Sequence, residues 1–488
     1  MDVKKIQWAF RGGAVTVSAF ADIKAWYRAD TFTGTTPSVS LTDKSKNGNN
    51  AVQAAGTMTP GTAANGQAKF TASSARLESS VTMRNWPCTI ITVGKSPANA
   101  LTGFAGHTGA ASTNTLWFGY ESGLGTTAYA VNNSSNGFPT ANVDHVWTLR
   151  NGYGSRVTMV DGIIQANQTQ SGCPRSSAQG ISLGTQYRLL NLDWYETLIW
   201  DRTLSLTELD EVHTYLNTRY ALSIPLWSSY TTVPLIAFGG QSNSDGRGDR
   251  GASDVNIPVA YRGSLANVKE WDNSTTFSNM NLSTNTYFST PAVNINSLYI
   301  GQELTAAKDY ADRAGQTVYV FKYAGGSTSM YYTLADNGFW TEIHDATNQT
   351  DTRSYFGNSM KAFWKMMRVF QTNSQKPSLK GYTFYQGEDD ATDSTAAGQW
   401  STLGQSFFTA SRAEFGLGTA KIFLVRIHAS IDLVQQPFRD TVRAQQVAAA
   451  AALTSCQLVS VDSYSLRDTV HIDVNGQIAL GQFLATQF

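Results

Sequence analysis

The chain has 488 residues, and its 36 Lys and Arg residues balance its 36 Asp and Glu residues. A chain of this length exceeds one ordinary hydrophobic core, so we expect two or three domains. The balanced charge provides no electrostatic basis for binding nucleic acid or an anionic membrane surface. No apolar run reaches the length of a membrane span, and the N-terminal residues lack the apolar stretch of a signal peptide. We therefore expect neither membrane insertion nor a cleaved signal.

Residues 1–20 are interpreted as an N-terminal arm, and residues 21–221 have the pattern of an all-β domain. Short runs that favour strands, such as 89–93 and 147–150, alternate with turns rich in Gly, Asn, Ser and Thr. This spacing predicts a sandwich of antiparallel strands.

A helix is predicted at the end of this domain. Ser205 and Glu208 have the spacing of a capping box, in which each side chain accepts a hydrogen bond from the backbone N–H of the other residue. Leu209, Val212 and Leu216 then fall on one face of the helix.

Two segments frame this domain: residues 25–30 lead into 43–51, and residues 196–205 lead into the predicted helix. Both resemble concanavalin A-like, laminin-G-type jelly rolls. The resemblance implies a jelly-roll sandwich that binds glycans or calcium, or that only spaces and packs neighbouring domains. Asp30, Asp43 and Asn47 are candidate calcium ligands, because calcium prefers oxygen ligands. We favour the alternative, in which these Asx-rich turns need no ion.

Other residues of this region have two interpretations as well. Trp117, Trp147 and Trp194 are candidates for stacking on sugars, although aromatic residues in a sandwich belong more often to its core. The three cysteines of the chain are odd in number and far apart, which matches neither a metal motif nor a disulfide framework. We expect buried or incidental thiols at Cys88, Cys173 and Cys456.

The pattern changes after a linker at residues 222–232. In residues 233–488, apolar runs of strand length alternate with helical segments, which predicts a mostly parallel sheet covered on both faces. The predicted strands are 233–238, 317–323, 380–385, 420–427 and 456–461. The predicted helices are 296–314, 354–372, 396–414, 436–453 and 475–486. In such a sheet the active site forms at the carboxyl ends of the strands.

Polar residues suited to acyl transfer follow these strand ends. Ser242 stands in the turn after the first strand, and Asp468 and His471 precede the last helix. A nucleophilic serine needs an imidazole to take its proton, and the imidazole needs a carboxylate to fix its tautomer. The developing oxyanion needs fixed donors. The backbone N–H groups of Ser242 and Gly326 and the side-chain amide of Gln386 are candidates.

Four sequence blocks contain these residues in order: Gly-Gln-Ser-Asn at 240–243, Gly-Gly-Ser at 325–327, Gln-Gly-Glu-x-Asp at 386–390 and Asp-x-x-His at 468–471. Together they resemble the SGNH (GDSL-type) hydrolases, in the branch that contains sialate O-acetylesterases and carbohydrate esterase family six. The resemblance covers residues 233–488 and implies an α/β/α three-layer, flavodoxin-like domain that hydrolyses esters.

The resemblance implies that Ser242 is the nucleophile, His471 the general base and Asp468 the residue that orients the base. Gly326 and Gln386 then complete the oxyanion hole with the Ser242 N–H, and Gly325 is the alternative to Gly326. Gln386 stands where the wider superfamily has asparagine, as is typical of this branch. The supporting residues are Gly240, Gln241, Asn243, Gly325 and Glu388.

Among these supporting residues, Asn243 is expected to brace the serine turn, and Glu388 to form structural hydrogen bonds rather than carry a proton. No metal or cofactor is expected, because the oxyanion hole consists of amides. The chain departs from the branch at Ser244, where methionine is usual. It also has Ser-Met-Tyr at 329–331 instead of the usual aromatic residue after the second block. Both departures concern the acyl and sugar pocket more than the triad.

The other histidines offer weaker candidates for the base. His428, at the end of the fourth predicted strand, is the rival, but it has no carboxylate three residues before it and does not precede a helix. His213 and His344 are interpreted as surface or helix residues.

The leading hypothesis from this resemblance is a serine esterase that removes short acyl groups, most often acetyl, from a polysaccharide or surface glycan. A jelly-roll module before such an esterase suggests a phage tail fibre or tailspike, a virion or extracellular location, and a homotrimer or contacts with other virion proteins. The alternative is a non-catalytic glycan-binding or structural virion protein that retains the SGNH fold. A peptidase or lipase is disfavoured, because the four blocks resemble the carbohydrate-active branch.

Overall fold

The structure is a computed structural model of the chain, and it describes residues 8–10, 13–15, 18–83, 87–95, 102–107, 117–121, 131–132, 142–152, 156–165, 179–184, 189–251, 254–273, 275–282, 299–332, 338–341, 354–415 and 420–488. The described residues cluster into two compact units, which divide between Tyr230 and Thr231. Each unit has its own sheet.

The first unit consists mainly of strands. They are β1 (Trp8–Phe10), β2 (Gly13–Val15), β3 (Ala25–Arg28), β4 (Phe32–Thr33), β5 (Ser40–Leu41), β6 (Ala51–Thr62), β7 (Ala68–Met83), β8 (Cys88–Lys95), β9 (Thr102–His107), β10 (Trp117–Glu121), β11 (Val131–Asn132), β12 (Asp144–Asn151), β13 (Arg156–Val160), β14 (Ile163–Ile164), β15 (Gln179–Leu183) and β16 (Leu190–Trp200). Within the described ranges, fourteen of these strands form one hydrogen-bonded sheet with the main path β11-β10-β9-β15-β7-β16-β8-β12-β13-β14.

Strand pairs of this sheet run antiparallel, with β10 and β11 as a parallel pair at one end. The antiparallel pairing expected from the spacing of turns is confirmed for these strands. The jelly-roll connectivity implied by the resemblance stays a prediction.

The core of the first unit explains two of the three tryptophans considered above. Trp147 and Trp194 are buried, and they stack on Phe104 and Phe70 with ring centroids 4.6 and 5.9 Å apart. Stacked aromatic pairs of this kind stabilise a core beyond the area that they bury. The core interpretation is therefore confirmed for both residues, whereas the side chain of Trp117 lies outside the described part.

Helix α1 (Leu206–Tyr220) ends the first unit and begins as the sequence predicts. The hydroxyl of Ser205 accepts a hydrogen bond from the Glu208 N–H, and the Glu208 carboxylate accepts one from the Ser205 N–H at 2.8 Å. The face formed by Leu209, Val212 and Leu216 is buried, as expected. The helix ends at Ala221, which has the left-handed conformation common after a helix C-terminus.

The Asx-rich turns of the first unit are held by hydrogen bonds within the protein. The carboxylate of Asp43 accepts hydrogen bonds from the backbone N–H groups of Trp26, Ser45 and Asn49 at 2.8–3.0 Å. The side-chain amide of Asn47 donates to the Ile23 carbonyl at 2.8 Å, and Asp30 pairs with arginines. These contacts account for the sequence pattern as turn structure.

The second unit alternates strands and helices. Its strands are β17 (Thr231–Gly240), β18 (Gly248–Asp249), β19 (Leu265–Trp271), β20 (Phe277–Met280), β21 (Tyr299–Ile300), β22 (Val318–Ala324), β23 (Gln375–Tyr385), β24 (Ile422–Val425) and β25 (Cys456–Val459). Its helices are α2 (Ser242–Asp245), α3 (Glu303–Ala314), α4 (Tyr355–Thr372), α5 (Ser394–Phe415), α6 (Arg439–Ala452) and α7 (Val474–Gln487).

In the described part of this unit, seven strands form a sheet in the order β20-β19-β22-β17-β23-β24-β25. Every neighbouring pair is parallel except β19 and β20, which are antiparallel at the edge. Helices α3 and α7 pack against each other, and α5 packs against both α4 and α6. The five predicted strands and five predicted helices all correspond to observed elements, and the mostly parallel sheet is confirmed.

This unit differs from the prediction at its edge strands, since β20 is absent from the predicted strands as well as β19, and at the start of α3. Strand β19 was not predicted, because Lys269 and Glu270 interrupt its apolar pattern. Helix α3 begins at Glu303 rather than near residue 296, because Tyr299–Ile300 pairs with Gly248–Asp249 as a short antiparallel ribbon. No helix of the described chain has both the length and the apolar character that crossing a membrane requires.

Candidate active site

The turn after β17 is shaped by glycines. Gly240 has φ +129°, and a Cβ atom at this position would lie 2.0 Å from the Tyr385 carbonyl oxygen on β23. Only glycine fits such a backbone conformation and such a close approach. The turn then places Ser242 at the first residue of α2, at the carboxyl end of the strands that pair with β17.

Ser242, His471 and Asp468 form a continuous chain of hydrogen bonds. The Ser242 Oγ atom lies 2.9 Å from His471 Nε2, although the two residues are 229 positions apart in the sequence. The other ring nitrogen, Nδ1, lies 2.8 Å from Asp468 Oδ2 and 3.1 Å from Oδ1. With a proton on Nδ1, Nε2 is an acceptor for the serine hydroxyl proton. This arrangement can activate a serine as a nucleophile.

The surroundings of Asp468 favour its ionised form. Partial burial opposes ionisation, but hydrogen bonds from the His471 N–H, the His471 ring and the Val470 N–H hold the pKa of Asp468 well below its usual value. Arg467 also donates to Asp468 Oδ2 at 2.9 Å. The carboxylate is therefore charged and facing the imidazole throughout the neutral pH range.

The surroundings of His471 favour the neutral imidazole. Burial lowers its pKa, the Asp468 carboxylate opposes this effect, and the charges of Arg247 and Arg467 lower the pKa further. The net shift is downward, so the ring nitrogen that faces Ser242 is unprotonated at neutral pH. A general base requires this state.

The backbone N–H groups of Ser242 and Gly326 have no hydrogen-bond acceptor among the described residues, and the same holds for the neighbouring N–H groups of Asn243, Ser244 and Ser327. The N–H of Gly325 donates to the Gly240 carbonyl at 3.0 Å. A Cβ atom at Gly325 would lie 2.1 Å from the Tyr355 hydroxyl, and Ser327 has a left-handed conformation. In the tight turn after β22, the Gly325 N–H is therefore used within the fold, whereas the Gly326 N–H has no acceptor. This difference favours Gly326 over Gly325 as an oxyanion donor.

Gln386 lies deep in the site with its amide group already engaged. Trp400 donates to its Oε1 at 2.9 Å, which identifies the oxygen and the nitrogen of the amide. Its Nε2 donates to the Thr328 carbonyl at 2.9 Å and to Asp390, and it lies 3.3 Å from Gln241 Oε1. Both N–H groups therefore have protein acceptors in this arrangement, which differs from the oxyanion role expected from the sequence.

Asp390 is a site residue to which we assigned no role from the sequence, although it is the aspartate of the third block. It is fully buried and accepts hydrogen bonds from the Ser329 hydroxyl and from the N–H groups of Met330 and Tyr331. Burial raises its pKa in spite of these donors. Asp390, which belongs to the third block, therefore holds the turn at residues 329–331 through these hydrogen bonds.

Asn243 and Glu388 contact each other beneath the serine turn. The Asn243 Nδ2 atom donates to Glu388 Oε1 at 2.6 Å, and both side chains are buried. Burial raises the pKa of Glu388 to about 7, although the hydrogen bond from Asn243 opposes this shift. Asn243 also reaches the backbone on either side of His471, at Val470 and Ile472. Its contacts therefore extend beyond its own turn.

The two departures from the family pattern lie in different surroundings. Ser244 is buried and its hydroxyl donates to the Gly239 carbonyl at 2.7 Å, so it stabilises the turn from inside. Tyr331 is half-buried, and its ring lies 5.6 Å from that of Tyr332. This pair of tyrosines is the aromatic surface that follows the second block in this chain.

A group of buried charged residues next to the serine turn was not predicted from the sequence. Lys322 on β22 donates to Glu303 Oε1 at 2.8 Å and to the Asp245 carbonyl at 2.6 Å. The Asp245 carboxylate pairs with Arg247 at 3.2 Å, and burial raises its pKa to about 7. The only signal in the sequence is a lysine within an apolar strand.

The remaining histidines and cysteines lie elsewhere. The ring of His428 contacts the Tyr464 carbonyl at 3.0 Å and the Ser430 N–H at 2.9 Å, so the rival base faces the backbone. His213 lies on α1, in agreement with the helix interpretation rather than the surface one, and is buried, while His344 is outside the described residues. Cys88 and Cys456 are free thiols, and Cys173 is outside the described residues. Within the described ranges, no group of three or more His, Cys, Asp or Glu side chains could hold a metal ion.

Comparisons with known proteins bear mainly on the second unit. The family model of carbohydrate esterases described as sialic acid-specific acetylesterases matches residues 233–488. None of the curated proteins compared with the chain matches it.

Several solved structures are similar to the chain. One is a protein from Arabidopsis thaliana with 18% identity, covering 52% of this chain and 96% of that one, with a TM-score of 0.41. A second is a carbohydrate acetylesterase from Xanthomonas citri with 14% identity, covering 81% and 70%, with a TM-score of 0.37. A third is NanS, with 12% identity, covering 53% and 97%, and a TM-score of 0.36.

The family model covers more than half of the chain and every strand of the second unit's sheet, apart from the first two residues of β17. It includes the four sequence blocks and the hydrogen-bonded serine, histidine and aspartate. The predicted SGNH-type esterase domain is thereby confirmed, and the chain belongs to the carbohydrate esterase family of sialic acid-specific acetylesterases.

Proposed function

We propose that this protein is a serine esterase that removes O-acetyl groups from a glycan, with Ser242, His471 and Asp468 as its catalytic triad. The observation that carries the proposal is the 2.9 Å contact between Ser242 Oγ and His471 Nε2, with Asp468 on the opposite ring nitrogen. Family membership supports the choice of a carbohydrate ester as substrate. The lowered pKa of His471 supports its role as a base.

In the proposed reaction, His471 Nε2 takes the proton of Ser242 as Oγ attacks the acetyl carbonyl. The N–H groups of Ser242 and Gly326 stabilise the oxyanion. Collapse of the intermediate breaks the ester bond, and His471 returns the proton to the departing sugar oxygen. Water then attacks the acetyl-serine and passes one proton to His471; collapse of this second intermediate breaks the bond from Ser242 Oγ to the acyl carbon, His471 returns the proton to Oγ, and acetate is released. Asp468 stabilises the imidazolium in both steps.

Gln386 has an indirect role in this proposal. Because its N–H groups are engaged, we assign it to holding the turn that carries Gly326, through the Thr328 carbonyl and Asp390. Two backbone amides then form the oxyanion hole. Glu388 remains a hydrogen-bonding residue.

The test compares hydrolysis of p-nitrophenyl acetate and p-nitrophenyl octanoate by the wild type and by Ser242→Ala, with and without a chelator. We expect cleavage of the acetate ester that is insensitive to chelator and is lost in the variant. Release of acetate from an O-acetylated sialoglycan and from an O-acetylated neutral polysaccharide then identifies the sugar class. Equal activity in the wild type and the variant, with both folded, would contradict the proposal.

The same acetate-release assay, together with a glycan-binding measurement, tests the non-catalytic alternative. A protein that only binds glycan would show binding to the acetylated glycan without acetate release from the wild type. For the setting, we keep the proposal of a phage tail or other virion component in which a jelly-roll module precedes the esterase. Light scattering of the full chain tests the homotrimer that this setting suggests, and a monomer would count against it.

A further inference from the structure

The side chain of Asn243 joins the serine turn to the segment that carries His471. Its Oδ1 atom accepts a hydrogen bond from the Ile472 N–H at 3.1 Å, and its Nδ2 atom donates to the Val470 carbonyl at 3.2 Å. These two groups lie on either side of His471 in the chain. One amide thus holds the backbone around the histidine from both sides, directly next to the serine that the histidine contacts.

Glu388 and the Ile472 N–H together fix the orientation of this amide. A side-chain amide can be turned by half a rotation at little cost unless its partners distinguish oxygen from nitrogen. The Ile472 N–H can only donate, so its contact identifies the Oδ1 atom of Asn243, and the 2.6 Å contact with Glu388 Oε1 is then made by the donating Nδ2 atom. The backbone carbonyl of Asn243 accepts a further hydrogen bond from Gln477 Nε2 on α7 at 3.0 Å. Asn243 therefore connects the turn after β17, the turn after β23 and the start of α7.

The segment around His471 needs such a contact on its buried side. Its own hydrogen bonds close it into a loop, with the Arg467 N–H donating to the His471 carbonyl at 2.7 Å and the Asp473 N–H donating to Ser465 at 2.9 Å. Asp468 lies inside this loop and is exposed to solvent over 38% of its side chain. These contacts fix the histidine relative to its aspartate. Its position relative to Ser242 depends on contacts between elements.

We propose that Asn243 and Glu388 are positioning residues that hold His471 Nε2 within hydrogen-bonding distance of Ser242 Oγ. The inference rests on the proposed esterase function and adds two residues to it. Neither residue contacts the reacting atoms, so both are positioning residues and not catalytic ones. Asn243 acts through the backbone of Val470 and Ile472, and Glu388 acts through Asn243. A displacement of about 1 Å between reacting groups can reduce a rate about 100-fold. The expected loss is therefore in kcat.

The first test is a double-mutant cycle between Asn243 and His471, measured with p-nitrophenyl acetate. We expect Asn243→Ala to lower kcat about 100-fold with KM changed less than about 3-fold. In the His471→Ala background, the same change is expected to have almost no further effect, because its target is gone. An equal loss in both backgrounds would overturn the proposal, and so would a loss confined to KM. Full activity in both Ser242→Ala and His471→Ala would instead overturn the proposed function.

The first unit offers a matched control. Asn217 makes the same pair of contacts with backbone, since its Oδ1 accepts from the Ile224 N–H at 2.8 Å and its Nδ2 donates to the Ile224 carbonyl at 2.9 Å. We expect Asn217→Ala to leave kcat unchanged, whatever its effect on unfolding. A similar loss of kcat in both variants would show that Asn243 contributes only general stability.

A second set of variants keeps the proposal testable if Asn243→Ala does not fold. Glu388→Gln keeps an oxygen that accepts from Asn243, whereas Glu388→Leu does not, so we expect Gln to retain at least 10-fold more activity than Leu. Asn243→Asp loses the donor, and combining it with Glu388→Gln provides a donor on the other side. We expect the combined variant to exceed Asn243→Asp in kcat, and equal rates would overturn the proposal.

Discussion

Replacement of Asp468 by asparagine tests the chemistry of the site with little change in its shape. Asp468 Oδ1 accepts from the N–H groups of His471 and Val470 at 2.7 and 2.9 Å. An asparagine oxygen can accept the same two bonds, so Asp468→Asn is expected to keep the loop intact. What it loses is the charged acceptor at the 2.8 Å contact with His471 Nδ1.

The size of the effect follows from that one contact. Hydrogen bonds to charged groups contribute about 1.5–3 kcal/mol, which corresponds to about 10- to 150-fold in rate. An asparagine NH₂ group facing Nδ1 would also favour the imidazole tautomer with its proton on Nε2. That tautomer cannot accept the Ser242 proton, which extends the expected loss in kcat to about 1,000-fold or more.

The assay is the pH dependence of kcat/KM with p-nitrophenyl acetate. In the wild type, activity should rise with pH through a pKa below the ordinary histidine value, because burial and the nearby arginines lower the pKa of His471. The Asp468 carboxylate opposes this shift, so in Asp468→Asn the rise should occur at still lower pH, with a reduced plateau. Asp432→Asn is a suitable control, since Asp432 Oδ1 accepts from the Val434 N–H in a neighbouring turn. A loss of less than about 3-fold in Asp468→Asn, with no shift of the pH profile, would refute the orienting role.

Three further predictions concern stability. Gly240→Ala should lower the free energy of unfolding by several kcal/mol, because its Cβ would meet a carbonyl oxygen at 2.0 Å. Gly398→Ala, on a helix with open space around it, should raise the free energy of unfolding by about 0.5–1 kcal/mol. Similar changes in both variants, measured by denaturant titration, would contradict the steric explanation. Burial opposes the ionisation of Asp462, but Arg443 and the hydrogen bonds from the Ala429 N–H and the Ser460 hydroxyl outweigh it and depress the pKa of Asp462. Its contribution to stability is therefore present above about pH 4 and lost at lower pH, so melting curves of Asp462→Asn should approach those of the wild type as the pH falls. Lys322→Met leaves the buried Glu303 carboxylate without its cation and should lower the free energy of unfolding by about 3–5 kcal/mol. Adding Glu303→Gln should recover part of this lost stability. A loss below about 1 kcal/mol for the single variant would show that the pair is not strongly coupled.

Local signals in the sequence were sufficient for most elements of the second unit. Its long apolar runs and amphipathic segments predicted β17, β22, β23 and the helices from α4 to α7, because each of these elements has a continuous pattern of its own. Strand β19 lacked such a pattern. In the folded sheet the Lys269 ammonium donates to Asn279 on the neighbouring strand and Glu270 is buried, and neither environment is visible in the local sequence.

The sequence by itself determined the chemistry available to this protein. The serine turn is a local property of Gly240 and its neighbours, and the contact of Asp468 with His471 spans only three residues. The tertiary structure decided which groups meet. It brought His471 rather than His428 to Ser242, left the N–H of Gly326 without an acceptor, engaged Gln386, and carried Asn243 across to the histidine segment. These contacts join residues far apart in the chain, and their directions depend on how the strands and helices pack, which no local pattern contains.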